Sequence, residues 1–181
     1  MRQINKILFR TNIQSSVYTK KEVPLAFMDL ELNGKTERVE IKLFEHINPE
    51  TSTNFKKLCE GFMKPNGEVL SFKGKKFVNR LKGYFMETEE INESIYGNGY
   101  LCESYAVRFD RPWLIGVSKY GDPSLEKNAS GFFVTFHEMP GLDDCVAVGE
   151  VVSGQEAFLA ADRDNAEVTI ADCGIIGKTH V

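Results

Sequence analysis

Hydrophobic and polar side chains alternate in two neighbouring segments near the start of the chain. Apolar residues occupy every second position over 26–32, and a second alternating segment covers 39–43. Asn33-Gly34 follows the first segment, and this dipeptide is the strongest short signal for a two-residue hairpin turn. The pattern predicts an antiparallel hairpin with one buried face.

Two helices are predicted from the residues at their ends. Asn48 can serve as the N-cap of a helix over 49–60, and Gly61 is a natural stop. The sequence Ser-x-x-Glu at 153–156 has the form of a capping box, which predicts a second helix over 154–162. Both helices stand alone between segments of strand character.

The other apolar segments are short, and turn residues separate them. This spacing favours a mainly β protein in which strands form a sandwich or barrel and the single helices cover its ends. Loops or irregular chain are expected at 62–70, 92–109 and 119–131. Further strands are expected within 72–86, 113–118, 130–136, 146–151 and 168–174.

Composition narrows the possible functions. The chain has 181 residues, which suits one domain with a substantial core. Its net charge of −4 argues against direct nucleic-acid binding, and no apolar run is long enough to predict a membrane span. The four cysteines and three histidines are scattered and show no C-x-x-C pair, so reduced thiols and no metal site are expected.

The first residues differ from the rest of the chain. Residues 1–21 contain five basic residues and no acidic one. This composition is typical of a mitochondrial targeting segment, here uncleaved, and the alternative is a basic docking arm on a cytoplasmic protein. The expected organisation is an arm at 1–22, one domain at 23–177 and a tail at 178–181.

Four short motifs occur in an order that is typical of one family. They are Phe-Lys-Gly-Lys-Lys-Phe at 72–77, Ser-Ile-Tyr-Gly at 94–97, Asn-x-Ser-x-Phe-Phe at 128–133 and Thr-Ile-Ala-Asp-Cys-Gly at 169–174. Through them the chain resembles a cyclophilin. The resemblance implies a closed eight-stranded antiparallel barrel capped by two helices. It also implies cis/trans isomerisation of X-Pro bonds in a peptide or protein partner, without metal or cofactor.

The resemblance implies that one arginine carries the chemistry. The barrier to amide rotation is about 18–20 kcal/mol because resonance keeps the bond planar. A guanidinium that donates to the substrate beside an apolar pocket lowers this barrier by electrostatic stabilisation and desolvation.

Two alignments place different residues at the arginine position. Arg80 lies three residues after Phe77, whereas the family arginine lies two after the matching phenylalanine. One residue inserted at Val78-Asn79, as a β-bulge, would make Arg80 the catalytic residue. An alignment without a gap places Asn79 there instead. We favour the insertion, because Arg80 then keeps its spacing to the Phe-Met pair that follows.

The resemblance also implies a substrate pocket. Its expected residues are Phe85, Met86, Thr88, Phe133, Leu142 and Cys145. Without the gap, Glu87 replaces Thr88 as the counterpart of a family glutamine. Phe133 and Leu142, taken alone, are equally compatible with an ordinary core.

Several family residues are replaced. A tryptophan becomes Gly141, a histidine becomes Cys145, and an asparagine-containing loop becomes Tyr120-Gly121. We therefore expect a binding or scaffold subunit of a larger assembly with weak or lost isomerase activity. The alternative is an active isomerase that assists protein folding.

Overall fold

The computed structural model describes residues 21–180. Helix α1 is Pro49–Glu60 and helix α2 is Gln155–Asp164. The strands are β1 (Glu22–Leu32), β2 (Lys35–Leu43), β3 (Phe62–Met63), β4 (Val69–Leu70), β5 (Lys76–Leu81), β6 (Phe85–Thr88), β7 (Glu93–Ser94), β8 (Gly97–Asn98), β9 (Tyr100–Leu101), β10 (Leu114–Lys119), β11 (Lys127–Thr135), β12 (Ala147–Ser153) and β13 (Val168–His180).

Eight of these strands form a closed antiparallel barrel. Their order is β10-β12-β2-β1-β13-β5-β6-β11, and pairing of β11 with β10 closes the ring. The short β9 adds to the outside of β11, while β3–β4 and β7–β8 form separate two-stranded pairs. Closure leaves no free sheet edge within the ring. The predicted mainly β architecture, a closed eight-stranded barrel with two helices, is confirmed.

The first hairpin follows directly from its sequence. Asn33 and Gly34 have φ values of 50° and 73°, the positive values that a tight two-residue turn needs. Across this turn Leu32 pairs with Lys35.

The last strand runs further than expected. β13 continues to His180, which pairs with Glu22, and the residues expected to form a tail at 178–180 belong to this strand. Their partners at the start of β1 include Val23, which is buried.

Helix α1 has the expected bounds but a different cap. The side chain of Asn48 forms no cap bond and instead donates to the carbonyl of Ala147 at 2.9 Å. The carboxylate of Glu103, far along the chain, accepts the N–H groups of Glu50 and Thr51 at 2.9 and 2.6 Å. A carboxylate suits this position because the N-terminus of a helix is positive.

The predicted capping box of α2 does not form. Ser153 ends β12, and Gly154 occupies the N-cap with a φ of 81°. A Cβ at residue 154 would overlap the carbonyl of Arg38. Glycine is therefore required by both backbone conformation and space.

An aromatic cluster fills the barrel beneath α1. Phe132 on β11 lies 5.3 Å from Phe55, 5.1 Å from Phe72 and 5.6 Å from Phe77, measured between ring centroids. Because successive side chains of a strand point to opposite faces, the inward Phe132 directs Phe133 to the outside of the barrel.

Of the helices within 21–180, none is long and apolar enough to cross a bilayer.

Candidate functional site

A small pocket lies on the outer face of the barrel where β6, β10 and β11 adjoin. Its volume is about 190 Å³. It is lined by Phe85, Glu87, Ser118, Lys119, Phe133, Leu142 and Cys145.

One row of paired residues crosses four strands at the pocket and supplies two of its lining residues, Glu87 and Phe133. Asn79 on β5 pairs with Glu87 on β6, Glu87 pairs with Phe133 on β11, and Phe133 pairs with Gly116 on β10. Directly paired residues share a face of the sheet, so this row faces outward together. A Cβ at Gly116 would overlap the ring of Phe133, so the glycine makes room for that ring.

Phe133 is held by other aromatic rings. It is 5% exposed, and its centroid lies 5.5 Å from that of Phe109 and 6.3 Å from that of Phe85. Leu142 and Cys145 complete the apolar wall. The floor is therefore preformed and can receive a small apolar ring.

The loop that carries Leu142 is attached to the segment around Phe109. The backbone N–H of Met139 donates to the Phe109 carbonyl at 2.7 Å, and the Phe109 N–H donates to the Asp143 carboxylate at 2.9 Å. Arg108 forms an ion pair with the same carboxylate at 3.1 Å. These contacts hold Leu142 against the pocket.

Polar groups occupy one side of the pocket. The Ser118 hydroxyl donates to one oxygen of Glu87 at 2.7 Å, and the Asn79 amide donates to the other at 3.1 Å. The ammonium of Lys119 lies 3.4 Å from the Tyr105 hydroxyl and 5.1 Å from the centre of its ring. The pocket thus combines an apolar floor with a carboxylate and an ammonium.

A model of a known family matches most of the chain. Residues 27–175 match "Cyclophilin type peptidyl-prolyl cis-trans isomerase/CLD". The chain belongs to the cyclophilin family. The family expected from the four motifs is thereby confirmed.

Two curated proteins are similar over 178 residues. Peptidyl-prolyl cis-trans isomerase D of Kluyveromyces lactis is 32% identical, and the match covers 87% of this chain and 47% of that protein. The NK-tumor recognition protein of Homo sapiens is 31% identical, and the match covers 87% of this chain and 12% of that protein. This cyclophilin chain therefore spans less than half the length of either relative.

Four of the residues expected to bind substrate lie together in this cyclophilin pocket. They are Phe85, Phe133, Leu142 and Cys145. Met86 and Thr88 lie on the other face of β6, where they are 0% and 2% exposed. The Thr88 hydroxyl accepts the N–H of Phe132 at 3.1 Å. Their expected place in the pocket is not found, because alternation along β6 turns them into the barrel.

Arg80 also lies away from the pocket. Its guanidinium donates to the carbonyls of Ala161 and Ala166 at 2.9 and 2.6 Å and to the side-chain oxygen of Asn165 at 3.1 Å. These groups form the C-terminal end of α2. A cation is favourable there because the last carbonyls of a helix lack intrahelical donors and carry partial negative charge.

The β-bulge explains which residue faces the pocket. Phe77 pairs with Thr88 and Asn79 pairs with Glu87, so Val78 is an extra residue on β5. The inserted residue was expected here, but its consequence is the reverse of the expected one. The bulge turns Asn79 outward beside Glu87, and Arg80 then pairs with Met86 on the inner face.

Two pocket residues were not anticipated from the sequence. Ser118 and Lys119 belong to β10 and directly precede Tyr120-Gly121, the expected replacement of the family's asparagine-containing loop. The outward direction of Ser118 follows from that of Gly116, which the pairing with Phe133 establishes. Within residues 21–180, no group of three or more His, Cys, Asp or Glu side chains is placed to hold a metal ion.

The thiol of Cys145 makes the free energy of unfolding depend on pH. Burial, with a further contribution from the charge of Asp144, raises the pKa of Cys145 to about 11. An unfolded chain has a thiol pKa of about 8.5. The folded state therefore holds the proton more tightly, and this stabilisation is present below about pH 8.5 and lost as the pH approaches 11.

We expect Cys145→Ser to reduce the loss of stability at alkaline pH. Between about pH 8.5 and 10.5, the variant should lose roughly 2 kcal/mol less of its free energy of unfolding than the native chain does. Urea unfolding at each pH measures the difference. Cys102→Ser is the control, because that thiol is partly exposed. Equal pH slopes for Cys145→Ser and the native chain would contradict the expectation.

Proposed function

We propose that this cyclophilin domain binds proline-containing segments of a protein partner and has weak or no isomerase activity. The observation that carries the proposal is the outward row of Asn79, Glu87 and Phe133, with Arg80 bonded to α2 instead. The apolar floor supports binding, and the polar side argues against fast catalysis.

The chemistry of isomerisation supports the second part of the proposal. Rotation is assisted by a donor that withdraws the proline nitrogen lone pair from resonance. The carboxylate of Glu87 is acceptor-only when ionised, so it cannot supply such a donor. The Asn79 amide can donate, but it carries no charge and already bonds to Glu87. Neutral hydrogen bonds are roughly half as strong as those of an ionised group.

The aromatic floor supports the first part. Phe85, Phe133 and Leu142 surround a volume that suits a single proline ring. Proline also loses little conformational entropy on binding, because its φ angle is already restricted. A pocket of this size can therefore bind proline without catalysing its rotation.

Two measurements on the same purified chain test the proposal. Binding of a fluorescent X-Pro peptide is followed by anisotropy, and cis/trans exchange of that peptide is followed by NMR. Uncatalysed exchange takes tens to hundreds of seconds, so even weak catalysis is detectable. We expect saturable binding that an Ala-for-Pro peptide does not show, with little acceleration of exchange. Turnover equal to that of an ordinary cyclophilin would exclude the weak-activity proposal.

The alternative is an active isomerase that assists protein folding. It is supported by the name of the K. lactis relative, Peptidyl-prolyl cis-trans isomerase D, and by the retained apolar floor. In the exchange experiment, this alternative predicts fast turnover that Phe133→Ala removes. Slow exchange with intact binding would exclude it.

Membership of a larger assembly is a further part of the proposal. The matched region makes up 12% of the NK-tumor recognition protein. A domain of this kind can therefore be one part of a much larger protein. The basic segment at 1–21, of which residues 1–20 lie outside the described part, is proposed as a mitochondrial address; Glu22, expected to close this arm, belongs to β1 instead. Import of the full chain into isolated mitochondria tests that location against the cytoplasmic alternative.

A further inference from the structure

The pocket contains a carboxylate without a cationic partner. Among the described residues that line it, Glu87 is the acidic one. Both of its hydrogen-bond donors, the Ser118 hydroxyl and the Asn79 amide, are neutral. No lysine, arginine or histidine within 21–180 forms an ion pair with it. The carboxylate of Glu87 therefore lies beside an apolar floor without a cation paired to it.

Lys119 is the cation that faces this side of the pocket, and other groups already hold it. Its ammonium lies over the ring of Tyr105 at 5.1 Å, 3.4 Å from that residue's hydroxyl and 3.8 Å from the sulfur of Cys102. The remaining neighbours of the Glu87 carboxylate on β5 and β11, Asn79 and Phe133, are neutral. Lys119 therefore weakens the negative field of the carboxylate without pairing with it.

We propose that Glu87 selects segments in which a lysine or arginine adjoins the proline. The proline ring would pack on Phe133 while the neighbouring cation binds the carboxylate. Attraction between charges increases beside a low-dielectric surface, and a charge-assisted hydrogen bond adds to it. An acidic residue next to the proline would be repelled, which gives specificity in both directions. This inference rests on the proposed function, because it presumes that the pocket binds proline.

A set of short peptides tests the inference on the full chain. The probe is fluorescein-labelled Ala-Lys-Pro-Lys-Ala, compared with peptides in which both lysines are glutamine or glutamate. A fourth peptide has alanine in place of proline. We expect the lysine peptide to bind about tenfold more tightly than the glutamate peptide at low salt, with the glutamine peptide between them. The ratio of these two affinities should decrease when the salt concentration is raised to about 0.3 M, because ions screen the attraction between the lysines and Glu87.

Glu87→Gln should remove the preference for the lysine peptide over the glutamine peptide. Glu138→Gln is the matched control, because it removes the same charge from an exposed position that does not line the pocket. It should keep the preference for lysine. Lys119→Met should increase the preference, because it removes the opposing charge. If Glu87→Gln fails to fold, the Lys119→Met variant and the native peptide order still decide the question.

The outcomes separate the inference from the proposed function. Equal affinities of the native chain for the lysine and glutamate peptides, with weaker binding of the alanine peptide, would overturn the inference and leave proline binding intact. A lysine preference that survives in Glu87→Gln would also overturn it. Equal binding of the proline and alanine peptides would exclude the proposed function itself, and the inference with it.

Discussion

The double substitution Asn79→Arg with Glu87→Gln should raise isomerase activity by roughly ten- to a hundredfold. Asn79 is exposed on the outer face of β5 and pairs with Glu87 beside Phe133, so a longer side chain can reach the proline site without repacking the barrel. A guanidinium there would supply the missing charged donor. Removal of one such electrostatic group typically lowers the turnover rate of an enzyme by a factor of about 10² to 10³. Its introduction should therefore recover part of this factor.

The single substitution Asn79→Arg should gain less than the double one. The new guanidinium would pair with the Glu87 carboxylate, which would divert it from the substrate. NMR exchange of an X-Pro peptide measures all three proteins at equal peptide saturation. Unchanged exchange in the double variant, with peptide binding intact, would show that the absence of arginine from this row does not limit activity.

Arg80→Ala should lower the free energy of unfolding by about 3 kcal/mol while leaving peptide binding unchanged. The substitution removes hydrogen bonds from a charged group to the carbonyls of Ala161 and Ala166 and to Asn165. Hydrogen bonds to charged groups contribute about 1.5–3 kcal/mol each, and a cation at the C-terminus of a helix adds up to about 2 kcal/mol. We expect less than the full sum, because Arg80 is only partly buried and water can replace some of these bonds.

Urea unfolding of the full chain measures this effect. Arg163→Ala is the matched control, because Arg163 lies in the last turn of the same helix but is exposed, and its ion pair within residues 21–180 is with its neighbour Asp164. It should leave stability unchanged within error. A stable Arg80→Ala variant that loses residual isomerase activity would instead support the catalytic role first expected for Arg80.

Local sequence determined those features that depend on a few adjacent residues. Asn33-Gly34 adopts the expected positive φ angles because few other residue pairs tolerate them. Helix α1 ends at Glu60 because its C-cap, Gly61, adopts a φ of 83° that few other residues tolerate. The alternating pattern together with the four motifs was sufficient for the barrel and the family. The motifs also anticipated Phe85, Phe133 and Leu142 in the pocket, whereas the expected Met86 lies on the inner face of β6.

Tertiary structure decided the features that depend on distant parts of the chain. The cap of α1 comes from Glu103, more than fifty residues beyond the helix start. The face on which Arg80 lies depends on the bulge at Val78, and one extra residue exchanges the two faces of a strand. Pairing with β6 determines that Val78 is the extra residue. The sequence of β5 by itself does not specify its register with β6. The same pairing directs Arg80 to α2 and brings Asn79 and Glu87 beside Phe133.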